Sequence, residues 1–235
     1  MKFLQYITES INDKGIFKAI HMAGQSGAGK TFVLNKIKSE SIEPRLVNTD
    51  TWTEFFKAYG SEGWKEHGPK IKTLTKAQFV NYIDSLLPLW VDGTSASPPS
   101  VYRRDGILKS LGYDTGMIWV NTSLETSIER ISQRERKVPI DRITEMYKKI
   151  EALKPQYRSH FSFFVEIDNN DGELTDDVIT KAFNRTSSFF TKKLENPIGI
   201  EIRDNIINTK SKYLTDLDKF NREYLAKLAS IWYMK

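Results

Sequence analysis

The stretch Gly24-Gln25-Ser26-Gly27-Ala28-Gly29-Lys30-Thr31 constrains this chain more than any other. It fits the pattern Gly, four residues, Gly-Lys-Thr, which is that of a phosphate-cradling P-loop. Gly24, Gly27 and Gly29 let the backbone curl so that successive N–H groups point at anionic oxygens. Gln25, Ser26 and Ala28 complete the cradle; Lys30 is expected to reach the β- and γ-phosphates, and the Thr31 hydroxyl to take a place on Mg²⁺. The flanks agree. Residues 16–22 read as a short buried strand, and residues 32–38 carry a helical apolar rhythm at Val33, Leu34 and Ile37. Strand, glycine loop and helix together imply nucleoside triphosphate binding, with the helix N-terminus adding its positive end. A glycine-rich turn that happens to carry a lysine would not need those flanks.

At 235 residues, with 39% hydrophobic and 28% charged, the chain is expected to form one α/β domain with an appendage. The formal charge of +5, from 35 basic and 30 acidic residues, leans towards anionic partners such as nucleotides or nucleic acid. The absence of cysteine excludes disulfides and thiolate metal sites and fits an intracellular protein. No apolar run approaches the ~20 residues that span a bilayer, so no membrane partner is expected. Residues 2–13 resemble a packing helix rather than a signal peptide, which makes a cytoplasmic location the expectation.

Further acids close the predicted strands. Residues 44–50 read as a second strand ending in Asp50, and residues 87–94 as a third that carries Asp92. In a parallel sheet the carboxyl ends of strands carry the site, so both acids are expected on the P-loop edge. Aspartate is also a favoured helix N-cap, an alternative role open to each. Residues 57–72 are glycine-rich, basic and interleaved with aromatics; they read either as a mobile substrate-facing insertion with Trp64 as a stacking surface or as a solvated loop. Thr75 with Gln78 reads as a capping box opening the next helix, and Thr122 with Glu125 as another.

A Ser/Pro loop carrying Tyr102, Arg103 and Arg104 is expected before a helix at 105–111, and a fourth strand at 116–121. The helix opened by Thr122 carries Arg130, Arg134 and Arg136; the first two lie four residues apart and share a face. Such a basic helix end suits a lid over phosphates, with arginines offsetting charge on the transferring group, or else a solvated face. Pro139 and Pro155 bracket a predicted helix over 139–153. A fifth strand over 161–167, a turn at 168–172 and a helix over 174–190 complete the body. Asn196-Pro197-Ile198-Gly199 breaks the pattern, and an apolar stripe from Leu214 to Trp232 follows. The stripe predicts packing on the body, with self-association as the minority alternative. These boundaries divide the chain into a kinase-type domain, 1–195, and a helical extension, 196–235.

With these residues in place, the chain resembles the P-loop kinases that include bacteriophage-type polynucleotide 5′-hydroxyl kinases and zeta-toxin kinases. The P-loop is similar to the zeta-toxin version, and Asn48-Thr49-Asp50 to the polynucleotide-kinase segment whose aspartate is the general base. Arg130 and Arg134, then Val138-Pro139-Ile140-Asp141 and Met146-Tyr147-Lys148, resemble that enzyme's lid and the helix after it. The resemblance covers residues 16–168. It departs at Thr53, where the polynucleotide kinases carry a phosphate-holding arginine, and at Asp92-Gly93-Thr94, where they carry Asp-Thr-Asn.

The resemblance implies a three-layer P-loop kinase sandwich of about five mostly parallel strands, with ATP and Mg²⁺ as cofactors. It implies a host-cytoplasmic phage enzyme of DNA-modification type, acting on a nucleic acid or nucleotide hydroxyl. Lys30, Asp50, Arg130 and Arg134 are then expected to be catalytic. Gly24 to Thr31 with Arg134 and Arg136 would hold the nucleotide, and Thr31 with Asp92 the metal. Two alternatives stand beside this: a zeta-toxin-like kinase of nucleotide sugars, and a nucleotide-gated assembly protein.

Overall fold

The computed structural model describes residues 15–37, 42–58, 60–133, 139–170 and 174–208. The helix expected over 2–13 and the stripe from Leu214 to Trp232 lie outside the described residues, as do Arg134 and Arg136.

Five strands form one sheet: β1 (Lys18–Ala23), β2 (Arg45–Val47), β3 (Leu89–Val91), β4 (Asp114–Asn121) and β5 (Phe163–Asp168). Their order is β2-β3-β1-β4-β5, and every pairing is parallel. Both faces of such a sheet are covered, so its strands run apolar on both sides. Ile20, Met22, Ile118, Val120, Val165 and Ile167 pack with α1 (Lys30–Ile37) and α8 (Asp176–Thr191) on one face. The opposite face carries Ala19, Ala23, Leu89, Met117 and Trp119. Against it lie α3 (Gly60–Asp84), α4 (Pro98–Ser110), α6 (Ile140–Glu151) and α7 (Lys154–His160). The short α2 (Asp50–Phe55) and α5 (Leu124–Ser132) start at the carboxyl edge of the sheet, and α9 (Pro197–Asn208) ends the described chain. The result is the three-layer sandwich expected.

Several local expectations are corrected. Residues 60–72 are not a loop but the first half of α3, which runs unbroken through Pro69. Tertiary packing outweighs the poor helix propensity of its glycines. Ile71, Phe79 and Ile83 are buried on one face, and Gly68 leaves room for the Trp64 indole, which would lie 3.1 Å from a Cβ there. Thr75 is therefore mid-helix, and its hydroxyl donates to the Ile71 carbonyl at 2.9 Å instead of capping. The cap of α5 is Ser123, whose Oγ accepts from Thr126 N at 3.1 Å, so Thr122 and Glu125 are displaced from that role. Tyr102, Arg103 and Arg104 sit within α4, which begins earlier than expected because Pro98 occupies its first turn. Pro155 likewise opens α7 rather than closing α6.

Asn196 is the N-terminal cap of α9: its Oδ1 accepts from Ile198 N at 3.0 Å. The helix docks where Gly112, at φ +94°, meets Gly199; a Cβ on Gly112 would lie 2.6 Å from the Gly199 Cα. Only a residue without a side chain fits that approach.

Candidate active site

The carboxyl edge of the sheet gathers the chemistry. The P-loop leaves β1, residues 48–50 leave β2, Asp92 leaves β3, residues 121–123 leave β4, and residues 168–170 leave β5. In an open parallel sheet, ligands bind outside this edge at the point where the strand order reverses, here at β1.

Gly24, Gly27 and Gly29 all adopt positive φ, at +138°, +84° and +75°. At Gly29 the requirement is also steric, since a Cβ would lie 2.3 Å from Asn169 Nδ2. Lys30 opens α1 and folds back over the loop, its Nζ donating to the carbonyls of Gln25 at 3.0 Å and Gly24 at 3.2 Å. Thr31 is exposed at the start of the same helix. The Gln25 side chain is buried and donates to Glu151 on α6, which also pairs with Lys154.

Two residues that sequence reasoning did not single out complete the loop. Asn169, buried just beyond β5, donates from Nδ2 to the Ala28 carbonyl at 2.7 Å. Asn170 accepts from Ser123 N at 2.6 Å and ties the start of α5 to the same edge. The segment read as a plain turn is thus a clamp. Arg130 joins it, with Nη1 donating to Asn169 O at 2.8 Å and Gly27 O at 3.5 Å. Arg130 therefore touches one backbone oxygen of the loop, that of Gly27, and one of the segment beyond β5.

Asp92 lies within reach of the charges of both Lys30 and Asp50. Burial raises the pKa of the Asp92 carboxyl; the Lys30 charge opposes that rise, and the Asp50 charge adds to it. The Asn48 amide and the Gly93 N–H also lower it. Asp92 Oδ1 is buried and, among the described residues, has no hydrogen-bond partner. A hard cation is the kind of partner a buried carboxylate oxygen takes, and Mg²⁺ needs only one or two such ligands beside phosphates and water. The Asp92 carboxylate suits such an ion; among the described residues no cluster of three metal-ligating side chains exists. Asp50 is exposed as the first residue of α2 and does not cap it. Asn48 does, accepting from Thr51 N at 3.2 Å and Thr51 Oγ1 at 2.8 Å.

Beside Asp50, α2 and α3 carry an aromatic surface. Phe55 is 73% exposed and meets Phe56 edge-on at 5.1 Å; Phe56 stacks on His67 at 5.3 Å, with Lys70 above it at 5.0 Å. Trp52 lies 6.3 Å from Phe55, and its indole N–H has no partner among the described residues. Trp64 is 37% exposed, on a helix rather than on the loop expected. A separate cleft of about 750 Å³ opens at the amino edge, between Lys18, Asp114, Phe163 and Arg185. Lys18, Lys109 and Lys192 at that cleft are each paired with an acid, and it lies opposite the P-loop.

The fold is shared with solved structures of low sequence identity. A chain of the Pnkp1/Rnl/Hen1 RNA repair complex is 16% identical over 62% of this chain and 48% of its own, with a TM-score of 0.51. This chain thus spans about half of that protein. A chain of the PezAT chromosomal toxin–antitoxin system of Streptococcus pneumoniae is 17% identical over 92% of this chain and 93% of its own, with a TM-score of 0.50. A chain of the AvrRxo1-ORF1:AvrRxo1-ORF2 complex with ATP is 14% identical over 72% and 61%, with a TM-score of 0.51. No curated protein matches the chain. The sequence model of the Zeta toxin family matches residues 7–191. The chain belongs to the Zeta toxin family and is a nucleotide-using phosphotransferase, a kinase.

Proposed function

We propose that this kinase uses ATP and Mg²⁺ to transfer the γ-phosphoryl group to a hydroxyl of a nucleic acid or nucleotide. The observation that carries the reading is that Lys30, Asp50 and Asp92 all follow strands at one edge of the sheet, with Asp92 in the field of the other two. Lys30 and the amides of residues 24–31 would hold the phosphates, while Thr31 and Asp92 would hold Mg²⁺, which neutralises charge on the transferring group. Asp50, exposed beside them, would orient the acceptor hydroxyl and take its proton as the oxygen–phosphorus bond forms and ADP leaves. In a loose transition state, positioning and charge stabilisation outweigh base strength, so an ordinary carboxylate suffices. Arg130, on α5, would supply positive charge around the phosphates, and so would Arg134 and Arg136.

The exposed ring of Phe55, with the half-buried Trp52 beside it, favours an acceptor with a planar base, because every nucleobase offers a face for stacking. Family membership keeps a second acceptor class in view, a nucleotide sugar, which carries a base but no phosphodiester chain. Oligonucleotide binding separates the two. A nucleic-acid acceptor predicts a log affinity that falls linearly with log salt as phosphate contacts are lost. No oligonucleotide binding at low salt would overturn the nucleic-acid arm and leave the small acceptor.

A further inference from the structure

The loop between β3 and α4 carries Asp92 at its start and is pinned at its middle by Ser95. Ser95 stands at φ +54°, in the left-handed region that a residue with a side chain occupies only when its surroundings hold it there. Two hydrogen bonds do so. Ser95 Oγ donates to the Met22 carbonyl on β1 at 3.2 Å, and the Ser95 carbonyl accepts from the Tyr157 hydroxyl at 2.6 Å. Tyr157 is fully buried on α7, with its ring among Tyr102, Trp119 and Phe161. Burial, and then the neighbouring Tyr102, push its hydroxyl up to about 12, so it remains a donor throughout the working pH range.

Asp92 is held on its backbone, where its N–H donates to the Val47 carbonyl at 2.9 Å. Its Oδ1 has no partner among the described residues, while the carboxylate also takes hydrogen bonds from the Asn48 amide and from the N–H of Gly93, the first residue of the loop. Asn48 holds the carboxylate from β2, and the Gly93 N–H holds it from the loop, so its direction also depends on the path the chain takes immediately after Asp92, which Ser95 pins. We propose that Tyr157 is a positioning residue: through the Ser95 carbonyl it sets the β3–α4 loop and so aims the Asp92 carboxylate at the cation bound with the nucleotide. The inference rests on the reading of Asp92 as the cation-side carboxylate.

Calorimetric ATP affinity measured with Mg²⁺ and again with EDTA tests it without any turnover. The ratio of the two dissociation constants is the cation's contribution to binding. In Tyr157→Phe the ring still fills the core while the hydroxyl is lost, and the ratio is expected to shrink about fivefold, the scale of one hydrogen bond. Affinity in EDTA is expected to stay at the wild-type value. Asp92→Asn, run alongside, separates the two levels of the argument. An unchanged ratio in Asp92→Asn would overturn the reading of Asp92 itself. A reduced ratio there with an unchanged ratio in Tyr157→Phe would overturn the positioning role of Tyr157. If Tyr157→Phe does not fold, Ser95→Ala removes the other anchor of the same loop; a reduced ratio supports the inference and an unchanged one overturns it.

Discussion

Asn169 Nδ2 donates to the Ala28 carbonyl oxygen at 2.7 Å, so the segment beyond the last strand shapes the loop that follows the first. Asn169→Ala would leave that buried carbonyl without its donor, at a cost of about 1–3 kcal/mol. Nucleotide affinity is expected to weaken about tenfold, measured by calorimetry. An unchanged affinity would mean that the glycines alone hold the cradle.

Gly112→Ala places a Cβ 2.6 Å from the Gly199 Cα at a residue with φ +94°. Backbone atoms on both sides cannot yield, so α9 is expected to lift from the body. Unfolding should cost about 1–3 kcal/mol less than in the wild type. Urea denaturation reads the change, and hydrogen exchange over Pro197–Asn208 should rise with it.

His21 gives the fold an acid sensitivity. Burial foremost, then the Arg104 charge, lower its pKa from 6.5 to about 3; Asp105 opposes that shift, and Lys109 and His160 add to it. The folded state keeps the imidazole neutral, whereas the unfolded chain protonates it below about pH 6.5. Stability is therefore fully present above that pH and is lost as the pH falls towards 3, by up to about 1.4 kcal/mol per pH unit. Urea midpoints at a series of pH values should show this slope in the wild type and a flatter one in His21→Leu.

Phe55→Ala removes the most exposed ring beside Asp50. If bases stack there, the acceptor KM should rise about tenfold while kcat and the KM for ATP stay put. Steady-state rates at varied acceptor concentration separate these terms. A fall in kcat alone would place the ring's effect on transfer rather than on binding.

The parallel sheet and its site edge were legible because the P-loop fixes strand, loop and helix in sequence, and the acids close short apolar runs. That logic put Asp50 and Asp92 after strands on the carboxyl edge, which is where they lie. Asn169 was not, because its partner Ala28 lies far away in the chain, and only the placement of β5 beside β4 and β4 beside β1 brings the two together. The helix over residues 60–72 was hidden by Gly60, Gly63, Gly68 and Pro69, each a poor helix former in isolation. Packing reverses the sign at Gly68, whose missing side chain makes space for Trp64. Arg134 and Arg136 lie outside the described residues, and Arg130 meets the backbone carbonyls of Gly27 and Asn169.

Phosphoryl transfer from γ-labelled ATP tests the central claim most directly, with wild type, Lys30→Ala and Asp50→Asn assayed side by side. The acceptors are 5′-hydroxyl DNA and RNA, duplex DNA with hydroxymethylated bases, and nucleotide sugars. The account predicts label on one acceptor class, none with Lys30→Ala, and a loss of roughly 10²–10⁴ in rate with Asp50→Asn while ATP binding is kept. Wild-type turnover by Asp50→Asn would remove that carboxylate from the mechanism. Label on no acceptor, with ATP still bound, would contradict the proposed acceptor classes and favour a nucleotide-gated assembly role.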